Sequence, residues 1–132
     1  FNLGGTPEWL QSRQYVGPPS WHPAGSIFTG MGETINGIPF TYHANWGCPG
    51  KWNIEIMTSE RKLFFSPMER LQQQLKGSFN IELVELDYSI DVDFKPGFYL
   101  QVQSFLSDAT HLLSLKELAQ NIQLMKTIFN YS

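Results

Sequence analysis

The fold is decided by residues 26–46, which read SIFTGMGETINGIPFTYHANW. Two strand-like arms, Ser26–Ile35 and Ile38–Trp46, flank the pair Asn36-Gly37. Asn-Gly is the favoured pair for a two-residue type I′ turn, because both residues tolerate a positive φ there. Apolar and polar residues alternate along the second arm, and a period of two gives a strand one apolar and one polar face. The stretch therefore predicts a β-hairpin closed by a two-residue turn.

Shorter strand-like runs lie on either side of this hairpin and predict the rest of a sheet. We interpret four further segments as strands: Pro7–Val16, Trp52–Ser59, Lys62–Ser66 and Ile81–Leu86. The glutamine-rich segment Met68–Lys76 is interpreted either as a helical excursion or as a loop. Because adjacent strands joined by short turns pair in opposite directions, the sequence predicts an open, mostly antiparallel β-sheet.

The pattern changes to helical spacing in the last third of the chain. Apolar residues recur at that spacing over residues 98–109, and Pro96 stands where the first turn of a helix tolerates proline. Ser114 and Glu117 form the capping box that opens a second helix. The apolar stripe of that helix is expected to pack on the sheet and contains Leu115, Leu118, Ile122, Met125 and Phe129. These features predict an α+β class with helices packed on one face of the sheet, in a single domain of residues 1–132.

Composition and charge exclude several broad classes of function. A net charge of −3 and nine scattered Lys and Arg residues argue against a nucleic-acid platform, which needs a concentrated basic face. No apolar run reaches membrane-spanning length. The single cysteine, Cys48, has no partner for an internal disulfide and suits a reducing compartment. We expect a cytoplasmic protein with neither a nucleic-acid nor a membrane partner.

Side chains capable of metal or acid–base chemistry are few and scattered. The histidines His22, His43 and His111 have no second ligand at a diagnostic spacing, so we expect no metal site. Cys48 has no histidine close in sequence to activate it, and we interpret it as a small turn residue rather than a nucleophile. The acidic run in residues 82–93 lacks the glycine and the terminal glutamate of a calcium loop. A solvated edge strand and loop is favoured there over paired catalytic carboxylates.

The aromatic residues around two tryptophans leave two interpretations open. Trp46 and Trp52 offer flat rings for the C–H faces of a sugar. The adjacent residues Asn45, Lys51 and Asn53 offer amides and an ammonium for its hydroxyls. Core packing or a subunit interface is nevertheless favoured, since an aromatic-rich sheet face is often covered by a partner.

Two polar residues stand where the first predicted helix begins. Lys95 lies just before this helix and Tyr99 lies inside its first turn, so both could direct polar groups into a cleft. Helix capping and surface exposure explain the two residues almost as well.

Several of these motifs, in this order, resemble the C-terminal domain of one family, the glucose–fructose oxidoreductase / inositol dehydrogenase / rhizopine-catabolism (Gfo/Idh/MocA) family. The resemblance is carried by short motifs at strand ends, turns and helix starts: Ala44-Asn45-Trp46-Gly47, Pro49-Gly50-Lys51-Trp52, residues 57–63, Phe94-Lys95-Pro96-Gly97-Phe98-Tyr99 and Ser114-Leu115. It covers most of the chain, starting near Gly5.

Members of that family are NAD(P)-dependent oxidoreductases of sugars, sugar derivatives and polyols. The resemblance implies that an N-terminal Rossmann domain carries the glycine-rich fingerprint, the catalytic lysine and often a catalytic histidine, none of which is in this sequence. It implies a substrate-binding and oligomerisation role for this chain, with Trp46, Lys95 and Tyr99 as candidate substrate contacts. By this interpretation the chain has no catalytic residue and no cofactor of its own. NAD or NADP would bind the full-length parent, whose copies would pair through the sheet face.

Two alternatives from other classes remain. The chain could be a freestanding, non-catalytic binding or dimerisation module that uses the same sheet. It could also be a lectin-like carbohydrate module, which would bind sugar without any cofactor.

Overall fold

The computed structural model describes residues 5–17, 25–109 and 112–129. These residues form seven strands and three helices. The strands are β1 (Pro7–Tyr15), β2 (Ile27–Thr34), β3 (Pro39–Asn45), β4 (Ile54–Met57), β5 (Arg61–Phe65), β6 (Leu71–Leu75) and β7 (Glu82–Leu83). The helices are α1 (Ser89–Asp93), α2 (Phe98–Ser107) and α3 (Leu115–Ile128).

The strands lie in two antiparallel sheets, with the orders β1-β2-β3 and β4-β5-β6-β7. The predicted α+β class and the open antiparallel pairing are therefore confirmed, with the strands divided between two sheets. The chain falls into two compact units, Phe1–Pro49 with Leu113–Ser132 and Gly50–Leu112. We call them the first and the second unit. That both units belong to a single domain stays a prediction.

The predicted hairpin is present as β2 and β3, but its turn is not the two-residue type I′ turn. Gly37 N–H donates to the Thr34 carbonyl at 2.8 Å, and Thr34 N–H donates to the Ile38 carbonyl at 3.0 Å. Between Thr34 and Ile38, which this second bond joins, the loop thus has three members, residues 35–37, and Gly37 takes the left-handed conformation with φ 72°. This is the usual three-residue alternative, a turn followed by a glycine bulge. Its cause lies outside the hairpin, because Ile35 N–H donates to the carbonyl of Thr6 at 2.9 Å instead of pairing with Ile38.

Two glycines of β2 make room for the aromatic rings of β3. The register places Gly30 opposite Tyr42 and Gly32 opposite Phe40. A Cβ added at Gly30 would collide with the Tyr42 ring, and one at Gly32 would lie 2.6 Å from Phe40 Cζ. The rings therefore lie across the glycine backbone and fill the face of the sheet that carries Phe28, which is 3 % exposed.

Helix α3 covers this face through its C-terminal end. Ser12 Oγ donates to the Thr127 carbonyl at 2.8 Å, and Tyr42 OH donates to the Ile128 carbonyl at 3.1 Å. The Phe28 and Phe129 rings meet edge to face with centroids 5.0 Å apart. The last carbonyls of a helix have no partner within the helix, so the two hydroxyls of the sheet satisfy groups that would otherwise need water.

The capping box predicted for α3 is confirmed, whereas its apolar stripe is not the packed surface. Ser114 Oγ accepts from Glu117 N–H at 3.2 Å, and a Glu117 carboxylate oxygen accepts from Ser114 N–H at 2.8 Å. Of the predicted stripe only Phe129 packs on the sheet; its other four members are exposed, and Leu115 is 85 % exposed. Because the hydroxyl contacts fix the last turn, the half-buried residues of α3 are Asn121, Leu124 and Ile128.

In the second unit the glutamine-rich segment is a strand, so its interpretation as a helical excursion or loop is wrong. β6 pairs along its length with β5. The amide groups of its glutamines find partners near the strand ends. Gln72 Nε2 donates to the Ser66 carbonyl at 2.7 Å, and Gln74 Nε2 donates to the Ser78 carbonyl at 2.8 Å. Pairing with β5 and these side-chain bonds stabilise the strand, although glutamine is not among the residue types enriched in strands.

Two smaller differences concern the ends of elements. The last predicted strand is reduced to the two residues of β7. α2 begins at Phe98 with Gly97 as its N-cap, so Pro96 precedes the helix and does not occupy its first turn. In the part of the chain that is described, no helix combines the length and the apolar character needed to cross a membrane.

Candidate functional site

The segment between α1 and α2 has a fixed conformation and sets the position of Lys95. Gly97 takes the left-handed conformation with φ 73°, which glycine adopts at no steric cost because it has no Cβ. Its N–H donates to Asp91 Oδ1 at 3.0 Å, and Phe98 N–H donates to the Lys95 carbonyl at 3.0 Å. The carboxylate of α1 and the turn therefore hold the start of α2 in place.

Lys95 and Tyr99 line one open groove of about 490 Å³ along α2. We call it the α2 groove; its lining consists of Phe94, Lys95, Phe98, Tyr99, Val102, Gln103, Leu106 and Ser107. The Phe94 and Tyr99 rings contact each other with centroids 4.9 Å apart and planes inclined at 34°. Its volume lies within the range of small-molecule sites, about 300–1,000 Å³.

The polar groups of the α2 groove follow one edge of the helix. Tyr99, Gln103 and Ser107 are spaced by four residues, and side chains at that spacing are neighbours on a helix. Ser107 Oγ donates to the Gln103 carbonyl at 2.7 Å, whereas the Lys95 ammonium has no ion-pair partner among the described residues. An apolar floor with a hydroxyl, an amide and an ammonium at its edge can hold the C–H face of a polyol and bind its hydroxyls. Sequence analysis missed Gln103 and Ser107, although their four-residue spacing from Tyr99 was visible.

Trp46, the third predicted substrate contact, belongs to the first unit and not to the α2 groove. Its N–H donates to the Ser26 carbonyl at 3.0 Å, which ties the end of β3 to the start of β2. Asn45 Oδ1 accepts from Gly47 N–H at 3.0 Å and shapes the following turn. The Trp46 side chain is about half exposed, and Trp52, in the second unit, is exposed as well. The structure thus brings Lys95 and Tyr99 together, and the role of Trp46 stays a prediction.

The face of the first sheet opposite α3 exposes large side chains. We call it the open face; by the strand register it carries Trp9, Gln11, Arg13, Tyr15, Ile27, Thr29, Met31, Glu33, Thr41 and His43. Trp9, Tyr15 and Met31 are each 45–50 % exposed. Aromatic residues, methionine and arginine are the types enriched where one protein surface meets another.

A polar cluster lies on one face of the second sheet. The Lys62 ammonium lies 2.6 Å from a Glu55 carboxylate oxygen and 4.8 Å from the centroid of the Phe64 ring. A shallow cavity of about 230 Å³ beside the cluster is lined in part by Glu55, Phe64 and Gln72. The lysine already uses both the carboxylate and the ring, so the cluster is closed on itself, and an exposed pair of this kind contributes at most about 1 kcal/mol. The sequence signal for this cluster was the two-residue spacing of Lys62 and Phe64, which places both side chains on the same face of a strand.

The acidic residues after β7 shape the chain and show no catalytic arrangement among the described residues. Hydrogen bonds from the Ser89 hydroxyl and from its backbone N–H, the latter at 2.9 Å, hold the pKa of Asp87 below its usual value. Asp91 accepts from Gly97 as described above. Both carboxylates therefore act as local turn and helix-end acceptors.

The metal prediction concerns residues that are only partly described. Within residues 5–17, 25–109 and 112–129, no three His, Cys, Asp or Glu side chains gather as metal ligands. His43 is exposed on the open face and Cys48 is an exposed free thiol. His22 and His111 lie outside the described residues, so the absence of a metal site stays a prediction.

No family model, no curated protein and no solved structure matches this chain. The resemblance to the Gfo/Idh/MocA family accordingly depends on the sequence motifs alone.

Proposed function

We propose that this chain is the substrate-binding and oligomerisation part of an NAD(P)-dependent oxidoreductase that acts on a sugar, a sugar derivative or a polyol. Hydride transfer would take place at a separate N-terminal Rossmann domain that binds NAD or NADP. The chain would supply walls of the substrate site and contacts between subunits, in a cytoplasmic enzyme. Its own side chains would carry out no chemical step.

The observation that carries the proposal is that one face of the first sheet is covered while the other face is exposed. One face is filled by the aromatic rings of β3 and covered by α3. The open face exposes about half of the surface of Trp9, Tyr15 and Met31, so that covering each would contribute about half of the roughly 1.5–3 kcal/mol of a full burial. An antiparallel sheet with one covered and one exposed apolar face is suited to pairing with a second copy, which supports the oligomerisation role.

The α2 groove supports the substrate-binding role. Lys95 and Tyr99 belong to one of the motifs that resemble the family, and they line the same groove. The apolar floor and polar edge suit a polyhydroxylated ligand, whose C–H faces stack on rings and whose hydroxyls accept and donate hydrogen bonds.

The first test concerns the cofactor and the gene. Calorimetry of the isolated chain with NAD(H) and NADP(H) is expected to detect no binding, and micromolar affinity would contradict the proposal. The reading frame upstream of Phe1 is expected to encode a βαβ unit with a glycine-rich fingerprint. A start codon close to Phe1 would instead support the freestanding module.

The second test uses the full-length parent and measures steady-state kinetics with a panel of sugars and polyols. Lys95→Gln and Tyr99→Phe are each expected to raise KM for the sugar about tenfold, because one hydrogen bond contributes about 1–1.5 kcal/mol. KM for the dinucleotide should not change. Lys76→Gln, which alters a lysine in an exposed turn, is the matched control and should leave both constants unchanged. Equal effects of all three substitutions would contradict the assignment of the α2 groove.

The third test concerns oligomerisation and uses light scattering of the chain. Met31→Glu places a charge on the open face and is expected to reduce the mass to that of a single chain. Leu115→Glu changes an equally apolar, more exposed residue on α3 and should leave the mass unchanged. Binding of glycans by the isolated chain, without cofactor, would favour the lectin-like alternative.

A further inference from the structure

The end of the β2–β3 hairpin carries an asparagine whose side chain is exposed and lightly held. Asn36 and Gly37 are both exposed. The Asn36 amide nitrogen lies 3.4 Å from the position that a Cβ at Gly5 would occupy, and within the described residues no hydrogen bond holds this amide. Gly37 has no side chain to shield its backbone nitrogen, and the nearest atom to a Cβ placed there is Glu33 Oε1 at 3.8 Å.

We propose that Asn36 is a site of spontaneous deamidation and isoaspartate formation. The backbone nitrogen of Gly37 attacks Cγ of Asn36, so that an N–Cγ bond forms while the bond from Cγ to the amide nitrogen breaks. The amide leaves as ammonia and takes up the proton that the Gly37 nitrogen loses. Water then opens the resulting five-membered imide at one of its two carbonyls, which gives aspartate or isoaspartate. Water is the sole co-reactant, and no oxidation or reduction occurs.

The sequence around the other described asparagines makes Asn36 the favoured site. Asparagine is among the chemically labile residues of proteins. Each of the others is followed by a bulky side chain that shields the attacking nitrogen; they are Asn45, Asn53, Asn80 and Asn121, which precede Trp46, Ile54, Ile81 and Ile122. Of all the asparagines in the sequence, Asn36 alone precedes a glycine.

The fold restrains this reaction and gives it a structural consequence. Gly37 N–H donates to the Thr34 carbonyl at 2.8 Å, so the turn must open before the nitrogen can attack. Aspartate suits the same turn position as asparagine. Isoaspartate adds one atom to the main chain inside a three-residue loop, which disturbs the 3.0 Å bond from Thr34 N–H to the Ile38 carbonyl. The reaction would thus loosen the end of a hairpin whose register holds two rings over two glycines.

The test is prolonged incubation of the full chain in heavy-oxygen water at mildly alkaline pH, followed by peptide mapping in a mass spectrometer and by charge-resolving chromatography. We expect heavy oxygen at residue 36, both aspartate and isoaspartate in that peptide, and a deamidated form of the chain with one more negative charge. The substitution Asn36→Ser should abolish this deamidated form. The substitution Asn80→Ser, at another exposed asparagine, should leave the yield of the form deamidated at Asn36 unchanged. Incubation in urea should accelerate the reaction, since the bond from Gly37 N–H to Thr34 is then broken.

Retention of the Asn36 amide, with no heavy oxygen in its peptide, would overturn the proposal. Equal labelling of Asn36 and Asn80 would overturn it as well, because both sites are exposed and differ in the residue that follows. If urea does not accelerate the reaction, the hydrogen bond from Gly37 N–H to the Thr34 carbonyl does not restrain it, and that part of the proposal is wrong. A circular dichroism spectrum of Asn36→Ser that matches that of the starting chain shows that the deamidated form is lost because the reacting amide is gone and not because the chain has misfolded.

Discussion

Substituting Gly30 by alanine tests whether the glycines of β2 exist to admit the rings of β3. The added Cβ would collide with Cε1, Cζ and the hydroxyl of Tyr42, all of which belong to a side chain. The ring must therefore move, and its hydroxyl then leaves the Ile128 carbonyl that it contacts at 3.1 Å. At Gly32 the added Cβ would collide with the carbonyl of Trp9, which is backbone. The obstacle at Gly30 can be displaced, whereas the obstacle at Gly32 cannot move without separating β1 from β2.

The two substitutions, Gly30→Ala and Gly32→Ala, should lower the free energy of unfolding by different amounts. Overpacking costs about 1–3 kcal/mol, and the lost hydrogen bond costs about 1 kcal/mol. Replacing glycine restores about 0.4–1 kcal/mol by restricting the unfolded chain. For Gly30→Ala the free energy of unfolding should fall by about 2 kcal/mol, which is about thirtyfold in the folding equilibrium. For Gly32→Ala we expect a loss above about 3 kcal/mol, the upper end of overpacking costs, because the obstacle is a backbone carbonyl. Gly50→Ala should change stability by less than about 0.5 kcal/mol, since no atom lies within 4 Å of the added Cβ.

Urea denaturation, followed by circular dichroism and by tryptophan fluorescence, measures these changes as shifts in midpoint at constant slope. Double-mutant cycles separate the two mechanisms. Gly30→Ala should cost almost nothing in a Tyr42→Ala background, because the obstacle has been removed. Gly32→Ala should remain costly in a Phe40→Ala background, because the Trp9 carbonyl is still present. Equal rescue at both positions, or an unchanged midpoint for Gly30→Ala alone, would refute the reasoning.

Three further predictions concern α3. Ser114→Ala should lower the free energy of unfolding by about 1 kcal/mol in urea titrations, since it removes the N-cap acceptor, whereas Leu115→Ala at an exposed position should have little effect. Hydrogen bonds from the Ser114 hydroxyl and backbone N–H lower the pKa of Glu117. The contribution of Glu117 to the free energy of unfolding should therefore be fully present above the ordinary carboxyl pKa. It should be lost as pH falls through the lowered pKa of Glu117 in the folded state, and Glu117→Gln should flatten this part of the plot of stability against pH. Burial raises the pKa of Tyr42, so its contribution is complete below the ordinary phenol pKa and lost as pH rises through the folded value. Tyr42→Phe should cost about 1 kcal/mol near neutral pH and remove from an alkaline absorbance titration one phenol that ionises above the ordinary phenol pKa.

Much of the local structure followed from the sequence because its causes are local. The capping box of α3 depends on residues three positions apart, and the alternation along β3 depends on the two-residue period of any strand. The start of α2 was readable within one residue or so, since proline and glycine stop and start helices by their own φ preferences. In the candidate site, Lys95 and Tyr99 were found from one short motif, and both line the α2 groove.

The sequence by itself determined which segments are strands and helices over most of the chain, through hydrogen bonds and periodicities that span a few residues. The tertiary structure alone decided the length of the hairpin turn, because Thr6 withdraws Ile35 from the ladder. It alone decided the packed side of α3 as well. That choice is made by hydroxyls 115 and 86 positions away from the carbonyls they bind, where no local pattern can express the contact.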